Sequence, residues 1–160
     1  MKKKKLKLSK KGERILAIVA VILLIVIFWG LRDTEPADQT VRGIYVSEML
    51  NTYAYENCDV DYCDLLSDAV RKKNDAVKKL VLLDMEGSAL SDHGCVIVDL
   101  IDKIGEESFV HELGSLSWDE EKKIITYLLA GLDYTNGEHQ GQKLEDAFPV
   151  ITSIFSKSVK

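Results

Sequence analysis

At 160 residues, 46% hydrophobic and 29% charged, the chain holds enough apolar material for one globular core and too little for two. Its formal net charge of −5 hides a split: the first 31 residues carry eight basic side chains against one acid, whereas Arg32 to Lys160 carry 13 basic against 25 acidic, a net −12. So acidic a segment repels phosphate backbones and anionic headgroups, which excludes nucleic acid as a partner of the larger part and favours a basic protein.

Lys2, Lys3, Lys4, Lys5, Lys7, Lys10, Lys11 and Arg14 precede an uncharged run from Ile15 to Leu31. Seventeen residues at about 1.5 Å each reach about 25 Å, near the lower end of what a bilayer core requires. Residues 1–14 therefore read as a basic cytoplasmic tail and residues 15–31 as one transmembrane helix, whose partner is the lipid bilayer. A cleaved secretory signal is the competing reading, but cleavage wants small residues one and three positions before the cut, and Phe28-Trp29-Gly30-Leu31-Arg32-Asp33 offers none in that pattern. The expected location is the cell (inner) membrane, single-pass, with the C-terminal domain extracytoplasmic.

Residues 32–40, with Pro36, read as a linker, and 41–160 as an acidic helical domain. Val46, Met49, Leu50 and Tyr53 fit one face of a helix from about Val41 to Glu56. Leu66, Ala69, Val70, Val77, Leu80 and Val81 predict a longer helix from about Leu65 to Asp84, with Asp68–Lys72 and Asp75–Lys79 pairs on its polar side. Met85 to Gly94, rich in Gly and Ser, reads as a loop. Ile97, Leu100, Ile101 and Ile104 predict a buried helix that Gly105 stops.

Glu106 and Glu107 suit the start of the next helix, whose face is Phe109, Val110, Leu113 and Leu116. Ser117 followed by Glu120 is a capping-box pattern ahead of a helix with Trp118, Ile125, Leu128, Leu129 and Leu132 inward. Tyr134 to Gly141 predicts a loop. Leu144, Ala147, Phe148, Ile151 and Phe155 predict a last helix, which tolerates Pro149 only by starting near Asp146. The expected fold class is all-α: one N-terminal transmembrane helix, then a small globular domain of five or six short helices.

Cys58, Cys63 and Cys95 are the disulfide candidates, since an oxidising compartment favours pairing. A bridge from Cys58 or Cys63 to Cys95 would contribute about 3 to 4 kcal/mol in the chain-entropy model. Asp92 and His93, in the expected loop Asp92-His93-Gly94-Cys95, are a possible binding loop. The same cysteines with His93 have the donor chemistry of zinc but not its usual spacing, so no metal and no cofactor is expected. Asp59, Asp61 and Asp64 lack the glycine and glutamate of a calcium loop, and suit a helix cap better.

His111-Glu112 lacks the second histidine of a zinc protease motif, and neither a phosphate loop nor a nucleophile elbow is present. No catalytic residues are named and no enzyme is expected. An acidic helical domain held at a membrane's outer face has the build of an inhibitor or immunity-type protein for a basic partner, a likeness that no motif carries. The function expected is thus a membrane-anchored, extracytoplasmic protein-binding module. The alternatives are a structural subunit of a cell-envelope complex and a metal-dependent sensor or enzyme.

Overall fold

A hairpin with a two-residue turn opens the described part of the chain. The computed structural model describes residues 39–155, and the expected tail, spanning segment and residues 32–38 of the linker lie outside these. Strands β1 (Gln39–Val41) and β2 (Ile44–Val46) pair antiparallel with Val41 opposite Ile44. Arg42 and Gly43, at φ 51° and 86°, both adopt the left-handed region that a primed hairpin turn demands. Ile44 and Val46 point into the core, while Tyr45 between them is 55% exposed. The expected helix from Val41 is therefore corrected to a hairpin followed by a shorter helix.

That helix, α1 (Glu48–Cys58), begins where the Ser47 hydroxyl accepts the Leu50 N–H at 3.1 Å, and Asp59 ends it at φ 53°. It buries Leu50, Asn51 and Ala54 rather than Met49, which is exposed. In α2 (Tyr62–Val70), Asp61 caps the N-terminus by accepting the Asp64 N–H at 2.9 Å, as its position suggested.

The long helix expected over Leu65 to Asp84 is two. Lys72, Asn74 and Asp75 all sit at positive φ, breaking it before α3 (Ala76–Val81). Asp68 accordingly pairs with Lys73 at 3.3 Å instead of Lys72.

The predicted loop Met85 to Gly94 is corrected more sharply, because α4 runs unbroken from Gly87 to Ile104. Gly105, at φ 85°, stops it with its N–H on the Ile101 carbonyl, and its own carbonyl starts α5 (Glu106–Leu113). Both parts of the capping box form at α6 (Trp118–Tyr134): Ser117 N–H donates to Glu120 Oε2 at 2.7 Å, and Glu120 N–H donates to Ser117 Oγ at 3.3 Å. Replacing Ser117 with Ala should lower stability by about 1 kcal/mol, read as a shift of the urea midpoint without a change of slope.

Ile125, Leu128 and Leu132 face inward as expected, but Trp118 and Leu129 are 56% and 48% exposed. Lys122 Nζ lies 5.2 Å from the Trp118 ring centre, so the indole packs on its own helix surface. The last predicted helix breaks at Phe148 into α7 (Leu144–Ala147) and α8 (Pro149–Ile154), with Pro149 as the first residue of the second, where its missing N–H is harmless.

The core is formed mainly where α4 crosses α6. Gly94 and Gly131 meet there: a Cβ at Gly94 would lie 2.6 Å from the Gly131 nitrogen and closer still to the Tyr127 carbonyl oxygen. Around the crossing, Ile97, Leu100, Ile101, Ile124 and Leu128 join Leu66, Phe109 and Ile151 in one apolar cluster. Among the described residues, eight helices and one hairpin thus share a mostly helical fold, and no helix is long and apolar enough to cross a membrane.

Candidate binding cleft

Helical spacing sends the neighbours Asp92 and His93 in different directions. Asp92, Cys95, Val96 and Asp99 stand at i, i+3, i+4 and i+7 of α4 and line one wall of an open cleft of about 320 Å³. Tyr45 and Ser47 form a second wall from the end of the hairpin, and Tyr134, Thr135, Asn136 and Gly137 form a third from the end of α6. His93 points the other way and is fully buried. The expected binding loop is therefore corrected: Asp92 lies in a helical cleft wall and His93 lies in the core.

Each carboxylate near the cleft has a different situation. The Ser47 hydroxyl, while capping α1, also donates to Asp92 Oδ2. Asp102, one turn beyond Asp99, accepts from His139 Nε2 at 3.0 Å. No hydrogen bond or ion pair reaches the Asp99 carboxylate among the described residues. Burial, and then the charge of Asp102, push the Asp99 carboxyl above its ordinary pKa. Tyr45 and Tyr134, 55% and 66% exposed, line the same cleft.

A wider groove of about 670 Å³ adjoins this cleft, sharing Ser47 with it. Along α1 it presents Glu48, Met49, Tyr53 and Glu56, with Ser88 beside Met49.

The cysteines do not do what their number suggested. All three are free thiols, so the expected disulfide is absent from this structure. Cys58 Sγ lies 3.6 Å from the Asp84 carbonyl and Cys95 Sγ 3.9 Å from the Gly131 carbonyl, so each of these thiols has a backbone partner of its own. Burial raises each thiol's pKa, that of Cys95 to about 11, where Asp92 and Asp99 add to the effect. Such thiols are poor nucleophiles and poor metal ligands. Among the described residues no group of His, Cys, Asp and Glu is gathered to hold a metal, and the set Cys58, Cys63, His93 and Cys95 is not assembled.

His93 instead belongs to an aromatic cluster. Its Nδ1 is 2.7 Å from the Tyr62 hydroxyl, and the Tyr127 ring stands perpendicular to it at 4.8 Å. Nε2 has no hydrogen-bond partner among the described residues. The tautomer protonated at Nε2 lets the buried Tyr62 hydroxyl donate to Nδ1. Tyr127 reaches out of the cluster, donating to the Leu83 carbonyl at 2.7 Å and accepting the Met85 N–H at 3.1 Å. Lys123 holds the same α3–α4 connection by donating to the Leu82 carbonyl at 2.8 Å and pairing with Asp84.

Nothing in the sequence marked the cleft as a unit. Asp92 and Asp99 were legible as one helix face only after α4 was known to begin at Gly87, and Tyr45 only after the hairpin was. Comparison with family models, with curated proteins and with solved structures finds no match.

Proposed function

We propose that this chain is a membrane-anchored, extracytoplasmic protein-binding module that takes a basic segment of a partner protein in the cleft between Tyr45, Asp99 and Tyr134. The observation that carries this reading is the half-buried Asp99 carboxylate, which has no hydrogen-bond or ion-pair partner among the described residues and shares its cleft with the exposed Tyr45 and Tyr134 on a segment of net −12. A guanidinium suits such a place: it pairs with a carboxylate in the plane of its fork and stacks on aromatic faces.

The cleft is at the small end of ligand-pocket sizes, so it accommodates one side chain rather than a helix. Because Ser47 belongs to both depressions, an extended segment with an arginine in the cleft would continue over Glu48 and Glu56. Confinement by Ile15 to Leu31 at a membrane surface would raise the effective concentration for such an encounter.

The test titrates the full-length chain with a short peptide carrying one arginine and with its citrulline twin, which has the same shape and no charge. The arginine peptide should bind saturably in the millimolar range, as expected of one anchored side chain, and the citrulline peptide at least tenfold more weakly. Replacing Asp99 with Asn should cost about 1.5 to 3 kcal/mol of that affinity, the usual worth of a hydrogen bond to a charged group. Equal binding of both peptides, or an unaffected Asn variant, sinks the reading.

A further inference from the structure

The third cleft wall belongs to a loop, Thr135 to Lys143, that is held down by a histidine in an unusual bonding state. His139 Nε2 lies 3.0 Å from Asp102 Oδ1 on α4, and Nδ1 lies 3.2 Å from Gln142 Oε1. The orientation of the Gln142 amide is fixed from its other end, because its Nε2 donates to the Glu138 carbonyl at 2.9 Å. Both imidazole nitrogens therefore face oxygen acceptors, and only a ring with hydrogen on both nitrogens can make both bonds. A neutral ring keeps one bond and turns a lone pair toward an oxygen at the other.

We propose that His139 is a proton-operated latch on the cleft wall: as imidazolium it clamps the Thr135–Lys143 loop to Asp102 of α4, and by releasing a proton to solvent it lets that loop go. The loop is otherwise tied to α6 through Gly141 N–H on the Leu132 carbonyl at 2.8 Å, so release loosens it without detaching it. The charges acting on the ring are Asp102 from α4 and Glu138 from the loop itself, and the α7–α8 corner presents the Phe148 ring at 5.1 Å. Burial pulls the imidazole pKa down, but the bonds to Gln142 and Asp102 and these two carboxylates outweigh it, leaving it above its ordinary value.

The sign follows from that direction. The clamp is fully present below the unfolded value of 6.5 and is lost as pH rises through the higher folded value. Release also leaves Asp102 unneutralised one turn from Asp99, making the cleft more attractive to a cation as its wall loosens. The effect on ligand access rests on the cleft being the binding site; the latch itself does not.

The experiment is hydrogen exchange by mass spectrometry on the full-length chain from pH 5.5 to 8.5, with rates corrected for the intrinsic pH dependence of exchange. Protection of peptides covering residues 135–143 should fall about tenfold as pH rises, while peptides from the middle of α6 stay unchanged. In His139→Gln the loop should be poorly protected at every pH. In Gln142→Glu, where a carboxylate replaces the amide oxygen, the step should move to higher pH, which keeps the test open should the first variant misfold. Loop protection independent of pH in the native chain overturns the latch, as does an unshifted step in Gln142→Glu. A pH step with no arginine-peptide binding overturns the cleft reading alone, and peptide binding without the step overturns the latch alone.

Discussion

Substituting alanine for Gly94 or Gly131 should destabilise the domain by about 3 kcal/mol or more, the largest effect of any single methyl group in this fold. Overpacking a core by a methylene usually costs 1 to 3 kcal/mol, because side chains can rotate aside. Here the obstacle is backbone. The Gly94 methyl would meet the Tyr127 carbonyl oxygen and the Gly131 nitrogen, and a Gly131 methyl would meet the Gly94 carbonyl and, at 2.9 Å, Val98 Cγ2.

Relief requires α4 and α6 to separate, which opens the apolar cluster between them. Against a typical total of 5 to 15 kcal/mol this is a large fraction. Urea denaturation followed by circular dichroism reads it directly. The double variant should cost clearly less than the sum of the two singles, since the first methyl has already spread the crossing that the second would spread. Strict additivity, or a shift below about 1 kcal/mol for either single variant, would show that the helices can yield locally.

Acidification below the ordinary histidine range should weaken the fold through His93. Burial, with a smaller contribution from the Lys123 charge, lowers its pKa from 6.5 to about 3. Between those values the unfolded chain binds a proton that the folded chain refuses, so stability falls as pH falls. The slope approaches 1.4 kcal/mol per unit, giving about 2 kcal/mol by pH 5. His139 works in the opposite sense, losing its contribution as pH rises, so the two histidines together set a stability maximum near neutrality.

The His93→Leu variant isolates the first effect. It should be less stable at pH 7, because Tyr62 loses its partner, yet its stability should decline less steeply between pH 6.5 and 4. Guanidinium denaturation across that range measures both curves, and parallel curves would refute the assignment.

What could be read from the chain was mostly what depends on neighbours in sequence. The capping box at Ser117 and Glu120, the Asp61 cap and the stop at Gly105 are local bonds, and the structure forms all three; Glu106 does open a helix, but its carboxylate accepts the distant Ile151 N–H. Misreadings arose where one residue type serves two purposes. Gly94 looked like a loop residue beside Ser91 and Asp92, but it is glycine because a helix backbone passes over it.

His93 looked like a ligand in that loop, but it is the polar member of an aromatic cluster reached only when α2 and α6 close on α4. The hairpin did leave a trace, Arg42-Gly43 followed by alternating Ile44-Tyr45-Val46, which a helical spacing through Val46, Met49 and Leu50 overrode. Trp118, expected inward with Ile125 and Leu128, is the first residue of α6 and is exposed there. The cleft combines residues from sequence positions 45 to 137, and no local pattern announces such a meeting.

The glycine crossing has a mechanical side. Where two helices touch backbone to backbone, neither can slide or rotate about the other without breaking that contact, so the face of α4 bearing Asp92 and Asp99 and the end of α6 bearing Tyr134 move as one body. They form the fixed jaw of a vice. Any adjustment to a guest must come from the exposed Tyr45 side chain or from the loop beyond Tyr134. Rigidity at Gly94 and Gly131 thereby decides which pieces of the molecule remain free to respond.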